Sequence, residues 1–288
     1  MPPLETQTRS SANDRPDAGL AANPSPRIAS IAMAIAPDAP PVSIDAAQAA
    51  LFLDLDGTLA DFAPTPHEVV ADPKRSDLLR RLAQMLEGRI AVVSGRAISD
   101  VDRILDRSLP HVAGVHGLEC RDAAGALVSV EPHPALPEAV KLFGAIIRAY
   151  PGALLEVKPL SVALHYRSDP GLGPTARQAA TDFAAAHGLV LQEGHMVVEL
   201  LTPGRDKGAA VRAFMEEAPF RGAIPIFLGD DLTDEKAFDA VLGLGGVGIL
   251  VGPLRATSAT AIVPGVSDVL AWLAESLDQR RFRIGAVA

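Results

Sequence analysis

From Ala49 onward, short runs of Leu and β-branched residues alternate with stretches of helical periodicity: "ALFLDLD", "SDLLRRLAQMLEG", "RIAVVSG", "ISDVDRILDRS" and "HVAGVHG". A short run that is apolar at consecutive positions offers no face to water, which is the condition of a parallel strand covered by helices on both sides. The order is therefore βαβαβ, with Gly88 standing where a helix stop is expected. The same pattern returns in "KGAAVRAFMEEA", "AIPIFLGDD", "TDEKAFDAVLG", "GVGILVG" and "VSDVLAWLAESL". Residues 134–200 read differently: helix, strand "LLEVK", strand "SVALHYR", helix, strand "LVLQE" and strand "MVVEL". Strands adjacent in sequence pair antiparallel across tight turns, so this stretch is expected to form a separate sheet backed by two helices, inserted into one parallel-sheet unit.

Composition narrows the class. The first 44 residues hold eight of the 24 prolines, with no apolar periodicity beyond the short "RIASIAMAIAP", and are expected to be a disordered tail. No stretch reaches 18 consecutive apolar residues, and no basic-then-apolar leader opens the chain, so neither a transmembrane helix nor a secretory signal is expected. The single cysteine, Cys120, cannot form an internal disulfide and reads as a small hydrophobe in a reducing, cytoplasmic compartment. The formal charge of -9 disfavours nucleic acid and acidic membranes as partners, so any phosphate must be met by local cations or a metal ion.

In open parallel sheets ligands bind beyond the carboxyl ends of the strands. Four such ends carry polar residues: Asp54 and Asp56 in "LFLDLDGT", Ser94 in "VVSGR", Lys207 in "GRDKG", and Asp230 with Asp231 in "FLGDDLTDE". Alternation points Asp54 and Asp56 the same way, so one carboxylate can attack phosphorus while the other moves a proton to the departing alkoxide and from the attacking water. Several carboxylates meeting at one point require a hard dication, and Mg²⁺ is expected among Asp54, Asp56 through its backbone carbonyl, Asp230 and Asp231. Ser94 and Lys207 then supply a hydroxyl and a cation for the phosphoryl oxygens.

This ordered set resembles the four motifs of the haloacid dehalogenase superfamily over residues 50 to about 275. The resemblance implies a Rossmann-like core with Asp54 as nucleophile on a central strand, and an inserted α/β cap. The expected boundaries are a tail over 1–46, a core over 47–132 and 203–288, and a cap over 133–202. A finer resemblance, to trehalose-6-phosphate phosphatases, rests on "VVSGR" with Arg96, "GVHGLE" with His116, Gly117 and Glu119, "LEVKPLSVALHYR" with Glu156, Lys158, His165 and Arg167, and "GHMVVEL" with His195 and Glu199. It implies that these residues bind substrate, the cap's Glu-x-Lys contacting glucose rings, and that the chain hydrolyses trehalose 6-phosphate, possible association with the synthase being left open. His195 stands where the family usually has Lys, and Leu201 where a basic residue often lies. Another capped sugar-phosphate phosphatase, a phosphomutase, or a non-catalytic sugar-phosphate sensor are the alternatives.

Three features are set aside. "GLGGVG" (residues 243–248) follows a helix and leads into a strand, the reverse of a dinucleotide fingerprint. Trp272 lies among apolar residues at helical spacing and is expected in the core. His67, His111 and His133 lack the spacing of zinc ligands.

Overall fold

The structure, a computed structural model, describes residues 42–285 except Ala123 and His195. Its first element, β1 (Val42–Asp45), pairs antiparallel with β14 (Arg281–Ile284), so the strand begins inside the segment expected to be tail. The reason is a short alternation, in which Ile44 turns inward and is buried with Phe282 and Ile284.

The main sheet has eight strands in the order β13-β12-β11-β2-β3-β4-β5-β6. These are β2 (Ala49–Leu53), β3 (Ile90–Val93), β4 (His111–Gly114), β5 (Glu119–Arg121), β6 (Leu127–Ser129), β11 (Ile224–Gly229), β12 (Val247–Val251) and β13 (Ala261–Val263). All pairings from β13 to β4 are parallel, and β5 and β6 extend the β4 edge as an antiparallel hairpin. Alternation divides the buried residues between two faces. Leu51, Leu53, Ile90 and Val92 pack with α1 (Pro73–Met85), α2 (Ile98–Leu105) and α7 (Val266–Gln279), while Ala50, Phe52, Ala91 and Val93 pack with α5 (Lys207–Met215) and α6 (Glu235–Gly243).

Each fully buried Leu or Phe of this kind is worth about 1.5–3 kcal/mol relative to exposure. A surface ion pair such as Arg80–Asp106, whose side chains are 45% and 67% exposed, contributes about 1 kcal/mol or less. The covered sheet therefore sets the stability. His111 belongs to that apolar interior: its ring meets Phe214 and Phe220 edge-on, neither nitrogen has a hydrogen-bond partner, and burial lowers its pKa.

Residues between β6 and α5 form the second layer. Strands β7 (Leu154–Val157), β8 (Ser161–His165), β9 (Val190–Gly194) and β10 (Val197–Leu201) make an antiparallel sheet in the order β7-β8-β10-β9. Helices α3 (Leu136–Ile147) and α4 (Gly173–His187) cover one face through Phe143, Ala176 and Ala180, which pack on Val162, Leu164, Val198 and Leu200. The other face meets the carboxyl ends of the main sheet. Polar contacts join the layers, Lys158 Nζ donating to the Gly95 carbonyl at 3.0 Å, Arg167 Nη1 to the Ala63 carbonyl at 2.8 Å, and His116 lying 3.2 Å from Glu199, beside an apolar contact of Val115 and Leu118 with Leu160 and Leu201.

Residues 243–248 run from the last residue of α6 through a turn at 244–246 into β12, the helix-to-strand order that their sequence context requires. Trp272 is partly buried beside Phe282 and donates to the Arg283 carbonyl. Cys120 is partly buried against the second core face, where burial raises its thiol pKa. No helix among the described residues is long and apolar enough to cross a membrane.

Candidate active site

The site begins where β2 ends. The Asp54 N–H donates to the Leu228 carbonyl at 2.9 Å, extending the β2–β11 pairing by one residue. The chain then turns: the N–H groups of Leu59 and Ala60 both reach the Leu55 carbonyl at 2.9 Å. Gly57 makes the turn at φ 78°, and a Cβ there would stand 2.3 Å from Asp230 Oδ2. Only glycine meets both demands, and it lets Asp230 come down beside Asp54.

Lys207 is the first residue of α5, whose start is fixed by Asp206 accepting from the Ala209 N–H at 2.7 Å. Its buried Nζ donates to Asp54 Oδ1 at 2.8 Å and to Asp234 Oδ1 at 2.6 Å. Burial alone would lower its pKa, but Asp234 and Asp54 hold it above the usual lysine range. Asp54, Asp230 and Asp234 each offer an oxygen within 4.8 Å of the others. With all three ionised, the carboxylates exceed the one ammonium by two negative charges, and buried Asp230 Oδ1 has no hydrogen-bond partner. The donor set, all hard oxygens with an orphaned acceptor among them, fits a divalent cation.

The cluster keeps Asp54 and Asp230 of the expected ligands and adds Asp234, while the carboxylates of Asp56 and Asp231 are engaged elsewhere, which leaves the expected Asp56 carbonyl untouched. Asp56 Oδ2 and Oδ1 accept from Arg96 Nε and Nη2 at 2.6 and 2.8 Å, a bidentate pair that engages this carboxylate with a guanidinium. Asp231 Oδ1 accepts from the Leu232 N–H at 2.6 Å and caps the short 3₁₀ turn Leu232–Asp234. The turn is what delivers Asp234, which closes the capping box by accepting from the Asp231 N–H at 3.0 Å. Arg96, expected on substrate, also donates from Nη1 to the Pro66 carbonyl. Ser94 is buried at the end of β3, its Oγ accepting from the Arg96 N–H at 3.2 Å.

Above this floor stands the inserted sheet. Register aligns Glu156, Ala163, Glu199 and Gln192 in one row across its four strands, three polar side chains around a small one. Glu199 Oε1 accepts from Lys158 Nζ at 2.9 Å and from Ser161 Oγ at 2.5 Å, while Oε2 faces His116. Burial would raise Glu199, yet Lys158, His116 and Ser161 together hold it well below the carboxylate range. Burial would likewise raise Glu156, but His165, bonded at 2.8 Å, and Lys158 outweigh it and its pKa falls. Lys158 in turn is held above its ordinary value by Glu199 and Glu156 against burial.

Asp54, Asp56, Ser94, Arg96, His116, Glu156, Lys158, His165, Arg167, Glu199, Lys207, Asp230 and Asp231 all line one cavity between the layers. Gly117 and Glu119 are not on its wall. Gly117 is needed for packing, since a Cβ there would lie 2.6 Å from the Asp206 carbonyl oxygen. Glu119 Oε1 is buried and accepts from the Ile98 N–H at 2.6 Å, capping α2 from outside in place of a polar N-cap, which Ala97 cannot provide. His195 lies outside the described residues. The cavity also holds residues that the sequence reading passed over, Gln192 and Thr233 of polar type and Phe62, Pro64 and Met196 of apolar type. Alternation with Glu193 on β9 was the available signal for Gln192.

The trehalose-phosphatase family profile matches residues 52–263. The chain belongs to the trehalose-phosphatase family. It is 40% identical over 242 residues to the trehalose-6-phosphate phosphatase of Escherichia coli K12, covering 82% of this chain and 90% of that protein. It is 35% identical over 226 residues to a probable trehalose-phosphate phosphatase of Sinorhizobium fredii, with 77% and 85% covered. A solved trehalose-6-phosphate phosphatase related protein superposes with a TM-score of 0.68 at 26% identity, covering 80% of this chain and 97% of that one. The C-terminal domain of the Candida albicans trehalose-6-phosphate phosphatase shares the fold, with a TM-score of 0.73 at 20% identity over 81% of this chain and 92% of the other. The chain is thus a phosphatase, with the fold of the haloacid dehalogenase enzymes.

Without a cation the acid cluster should reveal itself through pH. Burial, then Asp234, pushes the Asp230 pKa up to about 7, Lys207 opposing. The unfolded value is about 3.9, so between these values the folded chain binds more protons than the unfolded one, and stability falls as pH rises through that window. The chelator-treated protein is therefore expected to melt at a lower temperature at pH 8 than at pH 5.5, with Asp230→Asn flattening this dependence. Identical pH profiles of Tm for the two proteins would remove the cluster as its source.

Proposed function

We propose that this enzyme hydrolyses trehalose 6-phosphate to trehalose and inorganic phosphate, with Mg²⁺ held by Asp54, Asp230 and Asp234. The reading is carried by one juxtaposition: Asp54, Lys207 and Asp230 of the acid cluster and the Glu156–Glu199 row of the inserted sheet line the same cavity. The first suits a phosphoryl group and the second suits sugar hydroxyls.

In this scheme an Asp54 carboxylate oxygen attacks phosphorus while the bond from phosphorus to the sugar oxygen breaks, and Asp56 gives that oxygen its proton. Asp56 then takes a proton from water, which attacks the aspartyl-phosphate and releases phosphate with Asp54 restored. Lys207 and Ser94 hold phosphoryl oxygens throughout, and Arg96 fixes the orientation of Asp56. When bound, Mg²⁺ supplies positive charge against the phosphoryl oxygens and the surplus carboxylates. Cap and core close over the substrate through Lys158 and Arg167, excluding water that would otherwise compete. The single cysteine accords with a cytoplasmic setting.

The test separates recognition from chemistry. Glu156→Ala and Lys158→Ala should each lower kcat/KM for trehalose 6-phosphate by about 10-fold to 150-fold, since a lost charged contact leaves polar partners unpaired at about 1.5–3 kcal/mol. Hydrolysis of p-nitrophenyl phosphate, which has no sugar to read, should change little. Equal damage to both substrates would place these residues in the chemistry or in folding. Wild-type preference for a different sugar phosphate would move the substrate assignment while leaving the phosphatase intact.

A further inference from the structure

The acid cluster has a support that lies outside the cavity. Arg255, in the loop between β12 and β13, is partly buried behind the segment that carries Asp230. Its Nη2 donates to the Asp231 carbonyl at 2.7 Å and to the Asp230 carbonyl at 3.2 Å, and its Nε reaches the Asp230 carbonyl at 3.4 Å. Its Nη1 pairs with Glu235 in the first turn of α6 and donates to the Ala256 carbonyl at 2.9 Å. Glu235 Oε2 in turn accepts from the Ser258 N–H at 2.7 Å. One guanidinium thus ties together the end of β11, the start of α6 and the loop before β13.

The second observation concerns what aims Asp230. Asp54 and Asp234 are each held by Lys207, and Asp234 also by the Asp231 N–H, whereas Asp230 Oδ1 is buried with no partner. Only two side-chain torsions separate that carboxylate from its backbone, and with no hydrogen bond fixing Oδ1 the backbone must do much of the aiming. The group that holds this backbone is Arg255. We infer that Arg255 is a positioning residue for the divalent-cation site, acting through the Asp230 and Asp231 carbonyls and anchored by Glu235. The inference rests on the cation-binding reading of the three carboxylates and is independent of which sugar phosphate is the substrate.

The sign of the effect distinguishes positioning from simple electrostatics. Arg255→Met removes a positive charge close to a cation site. On charge alone the cation should then bind more tightly, and on positioning it should bind more weakly. Supporting residues of this kind change metal affinity by about 10-fold to 100-fold.

The experiment titrates Mn²⁺ into chelator-stripped full-length protein and follows free Mn²⁺ by electron paramagnetic resonance. For Arg255→Met the Kd should rise about 10-fold to 100-fold, with Arg255→Lys intermediate because an ammonium cannot span two carbonyls and Glu235 together. Turnover of p-nitrophenyl phosphate should recover at saturating metal, with the KM for this substrate unchanged. An unchanged or lower Kd would overturn the inference, as would a loss of turnover that metal does not restore. If the Met variant fails to fold, Arg255→Lys and Glu235→Gln carry the same test, a raised Kd supporting the inference and an unchanged one refuting it. Failure of the wild-type protein to bind Mn²⁺ would overturn the cation reading and this inference together. A substrate other than trehalose 6-phosphate would leave the Mn²⁺ result as expected.

Discussion

Asp54→Asn is expected to lower kcat by about 10⁴-fold to 10⁶-fold, the scale of losing a covalent nucleophile. The amide has the same shape but negligible nucleophilicity toward phosphorus, and the ammonium of Lys207 keeps its second partner in Asp234, so the fold should survive. Substrate affinity measured calorimetrically should stay close to wild type, because Glu156, Lys158 and Glu199 are untouched. The competing mechanism has water attack phosphorus directly while Asp54 only helps to hold the cation. In that case the loss would appear as weaker metal affinity and would be recovered at high metal concentration. Recovery of wild-type turnover in this way would exclude the aspartyl-phosphate route. Because burial and the neighbouring Asp234 and Asp230 carboxylates raise the Asp54 pKa, Lys207 opposing, a bound cation is also what would keep this nucleophile ionised near neutral pH.

The parts of this site that sequence revealed share one property: they stand at the end of a recognisable element. Asp54 and Asp230 follow β2 and β11, Ser94 follows β3 and Lys207 opens α5, so strand and helix periodicity locate them. Asp234 was hidden because a 3₁₀ turn brings it around, and nothing in "DDLTDE" says which acid turns inward until the Asp231 cap is formed. Arg255 was hidden because it comes from a loop some 25 residues after Asp230 and binds backbone, which carries no sequence signature. Glu119 shows the opposite failure. A family-like motif suggested a ligand contact, but the carboxylate is used to cap α2, whose own N-cap position holds alanine. The β5–β6 hairpin was out of reach because its strands have only three residues each and β6 is exposed throughout, and β1 because it lies at the edge of the proline-rich segment. The inserted layer was readable because its four strands come as two adjacent pairs, a pattern that antiparallel pairing requires.

Lys207→Met should expose how much of the cluster's cohesion depends on one ammonium. The side chain is 3% exposed and its partners Asp54 and Asp234 are 6% and 0% exposed, so water cannot replace the lost charge. Removing one partner of a buried ion pair costs about 3–5 kcal/mol, which for a chain of this size lowers Tm by roughly 6–20 °C. In the wild type the folded pKa of Lys207 lies above its unfolded value. Its contribution is therefore fully present below about pH 10.4 and fades only as pH rises beyond that, leaving no pH dependence from this residue near neutrality. In the variant the dependence should change character. Three carboxylates without a cation are relieved either by protons or by a divalent ion, so the deficit in Tm should be largest in chelator at pH 8 and smaller at pH 5.5 or with Mg²⁺. Activity should nevertheless stay about 10²-fold to 10³-fold low at saturating Mg²⁺, because the ammonium that holds a phosphoryl oxygen is gone and the metal cannot occupy its place. Restored activity with Mg²⁺ would show that Lys207 serves only to balance charge. An unchanged Tm in chelator at pH 8 would mean that the three carboxylates are not jointly ionised in the folded chain, and the argument for a divalent cation from their surplus charge would fail.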